Sequence, residues 1–214
     1  MSFLEYLSER YEYEEPIFLS ELYKDLDLNQ NTIRQKLKRL VDSGEINRYK
    51  YKDGIYFIPN PNSVLKNSTL NFNKVISKSY IFEQGERIGY ITGLSLANQL
   101  QLTTQVPVNI ELVTNKETQR KREVDYKIRK ITLRKPRVKQ VNNKNYKIFQ
   151  VLDLLNDFEE ISVDPIEVAI DKIYNYIKDV KISKEDFKQY LGAYPLKTQI
   201  RALENDIYNE ITFR

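Results

Sequence analysis

The sequence predicts an α+β protein: an N-terminal winged helix-turn-helix followed by a mixed, mainly helical C-terminal domain with a small sheet. Two observations predict the first part, namely apolar residues at helical spacing within 16–43 and a hairpin pattern directly after them. Strand-like alternation that gives way to helical periodicity predicts the second. The predicted domains are residues 1–59 and 64–214, joined by a linker at 60–63 that is rich in proline and asparagine.

The N-terminal module begins with two short helices. Pro16 separates them, and Ser20 is the expected N-cap of the second, 20–26, which buries Leu22 and Leu26. The first helix is amphipathic and packs on the module's core through Phe3, Leu4, Tyr6, Leu7 and Tyr11.

A longer helix over 30–43 should stop at Gly44, because glycine adopts positive φ at the end of a helix without strain. A β-hairpin with strands at 45–51 and 55–58 follows, since the turn between them ends in Asp-Gly at Gly54. The helix has one buried apolar stripe, formed by Ile33, Leu37, Leu40 and Val41.

The other side of this helix carries polar and basic side chains that suit nucleic acid. Its candidate base-reading residues are Asn31, Arg34, Gln35 and Lys38, with Thr32 beside them. The candidate phosphate-binding residues of the helix and hairpin are Lys36, Arg39, Arg48, Lys50 and Lys52.

Charge is segregated along this module. Residues 1–33 contain eight acids and two bases, net −6, whereas residues 34–52 contain seven bases and two acids, net +5. An ordinary solvated face mixes its signs, so this segregation indicates a polyanionic partner. The alternative is a winged helix that contacts protein, with its lysines solvated.

Composition argues against an enzyme. The chain has no histidine and no cysteine, which excludes Ser-His-Asp triads, Cys-His pairs and thiolate zinc sites. Asp157–Glu160 is the one acidic cluster that a nuclease or nucleotidyltransferase could use, and it is more typical of a helix end. We therefore expect no catalytic residues, no metal and no cofactor. The acidic N-terminus and the absence of a long apolar run predict a cytoplasmic protein with no membrane partner.

In the C-terminal domain, the pattern predicts helices at 73–84 and 93–100, the second capped by Thr92. A strand at 106–114 and a strand or hairpin arm at 124–133 should follow. The remainder is helical. A helix over 146–158 precedes one that begins at Pro165, another that runs from the N-cap Ser183 to Gly192, and a last one. The helix that begins at Pro165 should have an apolar stripe of Val168, Ile170, Ile173, Tyr174 and Ile177. The last helix carries Ile200, Leu203 and Ile207.

A second basic patch lies at residues 116–147, which contain thirteen bases, Lys139 among them, and three acids, so that its net charge is +10. It could extend a DNA footprint, hold RNA or receive an acidic protein; the alternative is a solvated edge strand. Ile128, Ile131 and Leu133 are expected in the core. The patch residues are Arg120, Lys121, Arg122, Lys127, Arg129, Lys130, Arg134, Lys135 and Arg137.

Residues 90–115 carry a motif, G-x-x-L-A-x-x-L-x-L-T-x-Q-x-P, followed by a strand that ends in Thr-Asn. Its positions are Gly93, Leu96, Ala97, Leu100, Leu102, Thr103, Gln105, Pro107, Thr114 and Asn115. With the segments at 131–137 and 149–155, this pattern resembles the AbiEi-type, DUF6088-like antitoxins and transcriptional regulators of type IV toxin–antitoxin systems. The chain departs from the pattern at Gln101, where these proteins generally have glycine.

The resemblance implies a winged helix that binds double-stranded DNA in its own promoter and a C-terminal antitoxin-like domain. It also implies a cognate nucleotidyltransferase-like toxin as partner. The leading hypothesis is therefore a sequence-specific transcriptional repressor that is the antitoxin of an abortive infection-like operon. The alternative is a protein-interaction module in which the winged helix and the basic patch dock an acidic partner rather than DNA.

Overall fold

A computed structural model describes residues 1–63, 69–138 and 140–212. The protein is of mixed α+β class, with eleven α-helices and three small sheets in those residues. Within them, no helix is both long and apolar enough to cross a membrane. The predicted first residue of the C-terminal domain, residue 64, lies outside the described residues, as does Lys139 of the basic patch.

The chain forms two compact units. Unit 1 comprises Met1–Ser79 with Tyr126–Ile128, and unit 2 comprises Tyr80–Asp125 with Arg129–Arg214. The predicted linker at 60–63 contains a turn after Asn60 and belongs to unit 1.

Unit 1 combines four α-helices with a three-stranded antiparallel sheet of order β1-β3-β2. Its core contains Leu7, Leu22, Ile33 and Leu37, each 0% exposed, so the three N-terminal helices share one apolar centre. The elements are α1 (Phe3–Arg10), β1 (Ile17–Phe18), α2 (Leu19–Asp25), α3 (Gln30–Asp42), β2 (Asn47–Arg48), β3 (Ile55–Phe57) and α4 (Phe72–Ile76), which continues as a π-helical turn, Ser77–Ile81.

Several local predictions for unit 1 are confirmed. Helix α3 begins at the N-cap Asn29, whose side chain accepts a hydrogen bond from the Asn31 amide, and Gly44 follows its end with φ of 78°. The hairpin is present and pairs Asn47 with Phe57 and Arg48 with Tyr56, but its first strand is only Asn47–Arg48, shorter than the predicted 45–51.

Other details of unit 1 differ from the prediction. Ser20 lies inside α2 rather than capping it, because Phe18 occupies the N-cap position without a side-chain hydrogen bond. Leu26 is only half-buried. The pairing of β1 with β3 was not predicted, since a two-residue strand shows no periodicity.

Unit 2 is built around α6, in which every residue from Ile148 to Leu155 is buried. A four-stranded sheet of order β6-β7-β9-β8 contains one parallel pair, β7 with β9, and β4 and β5 form a separate hairpin. Its elements are β4 (Phe82–Glu83), β5 (Glu86–Arg87), β6 (Gly89–Thr92), α5 (Gly93–Gln99), β7 (Ile110–Thr114), β8 (Arg122–Asp125), β9 (Lys130–Arg134), α6 (Tyr146–Asn156), α7 (Phe158–Ile161), α8 (Ile166–Ile177), α9 (Lys184–Leu191), α10 (Leu196–Glu204) and α11 (Ile207–Ile211).

The predicted helix over 73–84 was wrong at its C-terminal end, because β4 begins at Phe82. Thr92 precedes α5, but its hydroxyl makes no capping hydrogen bond and points to Asp153 instead. The strand predicted from residue 106 begins only at Ile110. Six apolar side chains that were predicted to lie in the core, in a strand or on the apolar stripe of a helix are exposed instead. They are Val106, Val108, Ile128, Val168, Ile200 and Leu203.

Candidate nucleic-acid interface

The side of α3 that faces away from the core is polar and open to solvent. Ile33 and Leu37 anchor the helix from the inner side, so the side chains about half a turn away from them around the helix axis point outward. The exposed set is Asn31, Thr32, Arg34, Gln35, Lys38 and Arg39, which includes all four predicted base-reading residues. This face has the donors, acceptors and positive charge that base edges and phosphates require.

Arg34 is held in place by a residue of α2. Its Nε donates a hydrogen bond to the Tyr23 hydroxyl over 2.6 Å, and its guanidinium carbon lies 5.6 Å from the centre of the Tyr23 ring. The two terminal nitrogens therefore remain available for a bidentate contact. The sequence analysis missed Tyr23, because its partner is eleven residues away and on another helix.

The cations of the hairpin lie against tyrosine rings. The Arg48 guanidinium is 5.7 Å from the Tyr56 ring centre, on the facing strand. The Lys50 ammonium is 4.7 Å from the ring of Tyr51. Such contacts orient a cation without neutralising it.

Two predicted phosphate-binding residues are less open than the others. Lys36 is half-buried, with its ammonium 5.6 Å from the Phe3 ring centre, and so points away from the exposed face of α3. Lys52 is half-buried as well, 5.1 Å from the ring centre of Tyr126. The candidate interface therefore comprises the exposed side of α3 together with Arg48 and Lys50, the exposed cations of the following hairpin.

The positive charge of this face is not compensated by carboxylates. Among the described residues, no acid forms an ion pair with Arg34, Lys38, Arg39, Arg48 or Lys50. An anion that approaches the face consequently has no internal carboxylate to displace.

The second basic patch is different, because carboxylates neutralise part of it. Arg122 Nε lies 2.8 Å from Glu117 Oε2, and the Glu117 side chain is only 4% exposed. Burial acts to raise the pKa of Glu117, but hydrogen bonds from the Gln119 amide and from Arg122 lower it overall. Glu117 thus remains ionised and keeps Arg122 engaged.

Two further arginines of the patch surround a buried carboxylate of α6. Asp153 accepts hydrogen bonds from the hydroxyls of Tyr90 (2.9 Å) and Tyr194 (3.0 Å). Arg137 Nε is 3.9 Å from the same carboxylate. Arg134 lies 3.4 Å from Glu111 and 3.7 Å from Asp157.

Burial raises the pKa of Asp153, although Arg134 and the two tyrosine hydroxyls act in the opposite direction. This cluster is a buried polar network in which each of the named groups has a partner. Sequence periodicity could not locate it, because Asp153 occupies a core position among the apolar residues of α6.

Some of the remaining basic residues of the patch also have partners. Lys130 lies 4.0 Å from Glu123, and Arg129 donates to the Pro107 carbonyl over 3.2 Å. Lys127 is exposed and adopts a positive φ of 63°. In the part of unit 2 that the structure describes, the exposed patch residues Arg120, Lys121 and Lys135 are among those that form no ion pair.

The described residues contain no group of three or more acids that could hold a metal ion. Two of the three acids in the 157–160 segment are directed to basic partners: Asp157 to Arg134, and Glu159 to Lys197 and Arg201.

The model of a family of unknown function, DUF6088, matches residues 13–185. The chain belongs to this family. No curated protein and no solved structure matches the chain. The match covers both the exposed face of α3 and the second basic patch, so both lie within the region that defines the family.

Proposed function

We propose that this DUF6088 protein is a sequence-specific DNA-binding transcriptional repressor, with a winged helix-turn-helix formed by α1, α2, α3 and the β2–β3 hairpin. The observation that carries the proposal is the exposed face of α3, where cations without carboxylate partners stand beside amide side chains. In such modules the second helix of the motif enters the major groove and the hairpin contacts the backbone or the adjacent groove. The antiparallel pairing of β2 with β3 supports this assignment.

In the proposed complex, Arg34 and Gln35 read base edges while Arg39, Arg48 and Lys50 bind phosphates. Arginine presents two parallel donors to guanine, and glutamine matches adenine in the same bidentate way. The hydrogen bond from Arg34 to Tyr23 reduces the rotamer entropy that Arg34 would lose on binding.

The biological setting is part of the same proposal. The repressor is the antitoxin of a toxin–antitoxin operon, its DNA site lies in its own promoter, and its protein partner is a nucleotidyltransferase-like toxin. This setting rests on the resemblance of residues 90–115 to AbiEi-type antitoxins. Co-expression with the product of the adjacent gene tests it: growth should stop with that product alone and resume when both are present.

A fluorescence-anisotropy titration tests DNA binding. The full-length protein is added to labelled DNA from upstream of its own gene and to a shuffled duplex of equal composition, at two salt concentrations. We expect tighter binding to the upstream DNA and a steep loss of affinity with salt, by about 0.9 in the log–log slope for each phosphate contacted. Equal or absent binding to both duplexes would refute the proposal and favour the protein-interaction module.

A further inference from the structure

Helix α10 has an apolar stripe that faces solvent. Leu196, Ile200 and Leu203 are 69%, 44% and 53% exposed, and spacings of four and three residues place them on one side of the helix. The opposite side is fixed in the core of unit 2 by Thr198 and Ala202, which are both 0% exposed. The orientation of the stripe is therefore determined by core packing.

An apolar groove lies beside this stripe. Its volume is about 300 Å³, and Leu203 of α10 forms one wall. Phe187 and Leu191 of α9 and Tyr208 of α11 contribute to the other walls. The groove can accept an aliphatic side chain that is presented by another helix.

Opposite charges flank the stripe on the same edge. Lys197 and Glu204 are seven residues apart, which is close to two full helical turns, so they lie about 20° from each other around the helix axis. Both are exposed, with Lys197 near the N-terminal end of α10 and Glu204 at its C-terminal end. Lys197 has one weak contact, 3.9 Å to the exposed Glu159.

We propose that this surface binds α10 of a second copy of the chain, antiparallel and about a twofold axis at Ile200. In this arrangement Lys197 of each copy faces Glu204 of the second copy, which gives two opposite-charge pairs. A parallel twofold arrangement would instead put the charged edges of the two helices on opposite sides of the pair, so no Lys197–Glu204 pair could form. The antiparallel arrangement also brings Leu196 of the second copy level with Leu203 and the apolar groove.

The size of the surface determines the strength of the dimer. A helix of nine residues is roughly 14 Å long, so the stripe and groove cover less than the ~800 Å² per partner of a standard stable interface. The dimer is therefore weak and depends on protein concentration. It forms without DNA, so its test is independent of the proposed repressor function.

Cysteine cross-linking tests the position of the axis. The chain has no cysteine, so Ile200→Cys introduces a single thiol next to its symmetry mate. We expect this variant to form a disulfide-linked dimer when it is oxidised with copper phenanthroline in air. In Leu196→Cys the two thiols are separated by about 12 Å along the helix axes, beyond the ~7 Å Cα limit of a disulfide. This variant and Val168→Cys, an exposed site on α8, should cross-link at least ten times more slowly.

Charge exchange tests the pairing itself, by sedimentation velocity over a range of concentrations. Lys197→Glu and Glu204→Lys should each raise the dimer dissociation constant by about tenfold, because each places like charges opposite one another. The double variant, Lys197→Glu with Glu204→Lys, should restore wild-type association. A wild-type protein that stays monomeric at ~300 µM, or equal cross-linking of all three cysteine variants, would overturn the proposal.

Discussion

Tyr23 and Arg34 join α2 to the exposed face of α3 by a hydrogen bond of 2.6 Å. They meet because their neighbours in the sequence, Leu22 and Ile33, are buried in the same core. The core thereby determines where Arg34 points. If Arg34 reads a base edge, as proposed, this prior orientation reduces the conformational entropy lost on binding.

Tyr23→Phe tests this orientation. The substitution removes the acceptor for Arg34 Nε and keeps the aromatic ring, so the fold and the melting temperature should be unchanged. We expect the preference for the upstream duplex over the shuffled one to fall by about 0.5–1.5 kcal/mol, the typical net value of one hydrogen bond. Tyr51→Phe, beneath Lys50, is the matched control and should leave the preference unchanged. Equal behaviour of the two variants would contradict a role for Tyr23 in recognition.

Loss of a base-reading residue should lower the discrimination between the two duplexes, whereas loss of a phosphate-binding residue should lower the affinity for both. Arg34→Ala or Gln35→Ala should lower discrimination between the two duplexes by roughly 1–3 kcal/mol, because each removes a bidentate base contact. Lys50→Ala should weaken binding to both duplexes equally and reduce the salt slope by about 1. Anisotropy titrations of the three variants measure both quantities. Wild-type behaviour of all three would show that the exposed face of α3 is not the interface.

The sequence predicted α3 well because its length, apolar stripe and terminal glycine all indicate the same helix. Its outward residues follow from that stripe by geometry alone. The sequence did not reveal which cations are free and which are paired. Arg134 and Arg137 were assigned to the basic patch, but their partners are Glu111, Asp157 and Asp153, which lie on other elements. Such pairings depend on tertiary contacts that periodicity does not encode.

Several apolar side chains that were predicted to be buried on a helix are exposed. Ile200 and Leu203 have the spacing of a buried stripe and are exposed, because Thr198 and Ala202 face the core instead. Periodicity identifies an apolar face but cannot tell whether it is covered by the same chain or by another protein. The same limit applies to Val168 of α8, which is 55% exposed.

The free cations of the second basic patch should contribute to DNA affinity. Replacement of Arg120, Lys121 and Lys135 by glutamine removes three charges without breaking an ion pair in the described structure. We expect the salt slope on upstream DNA to decrease in magnitude, by up to about 2.7 if each charge neutralises one phosphate.

The control is a second triple variant, in which Lys116, Lys130 and Lys147 are replaced by glutamine. These lysines form ion pairs, and their loss gives the same net charge as the first triple variant. Its slope should change less, because carboxylates already neutralise these cations. Equal slopes in the wild type and both variants would indicate that the patch serves a protein partner or solvent.

Glu117 should make stability depend on pH. Its pKa is lowered in the folded state, so its contribution is present above the unfolded value of about 4.3 and is lost as pH falls through the folded value. Glu117→Gln should therefore destabilise the protein at pH 7, by about 1.5–3 kcal/mol for charge-assisted hydrogen bonds. The difference from wild type should shrink as the pH falls below the unfolded value and vanish only below the lowered folded pKa, where both side chains are neutral.

Urea unfolding of both proteins, from pH 7 down to the lowest pH at which the wild type remains folded, measures this difference. Glu123→Gln is the control, since Glu123 is exposed and lies 4.0 Å from Lys130. A pH-independent cost for Glu117→Gln would mean that packing, rather than ionisation, accounts for its effect.

The full-length protein should repress its own operon by occupying at least two related half-sites in the promoter. One recognition helix contacts only a few base pairs, which gives too little specificity over a genome, so two modules are needed. The two sites should lie near a whole number of helical turns apart, so that both modules bind the same side of the DNA. DNase footprinting on the upstream region measures this directly. A single short protected site at saturating protein would exclude this repression mechanism, whereas loss of protection at both sites together in Arg34→Ala would tie the footprint to α3.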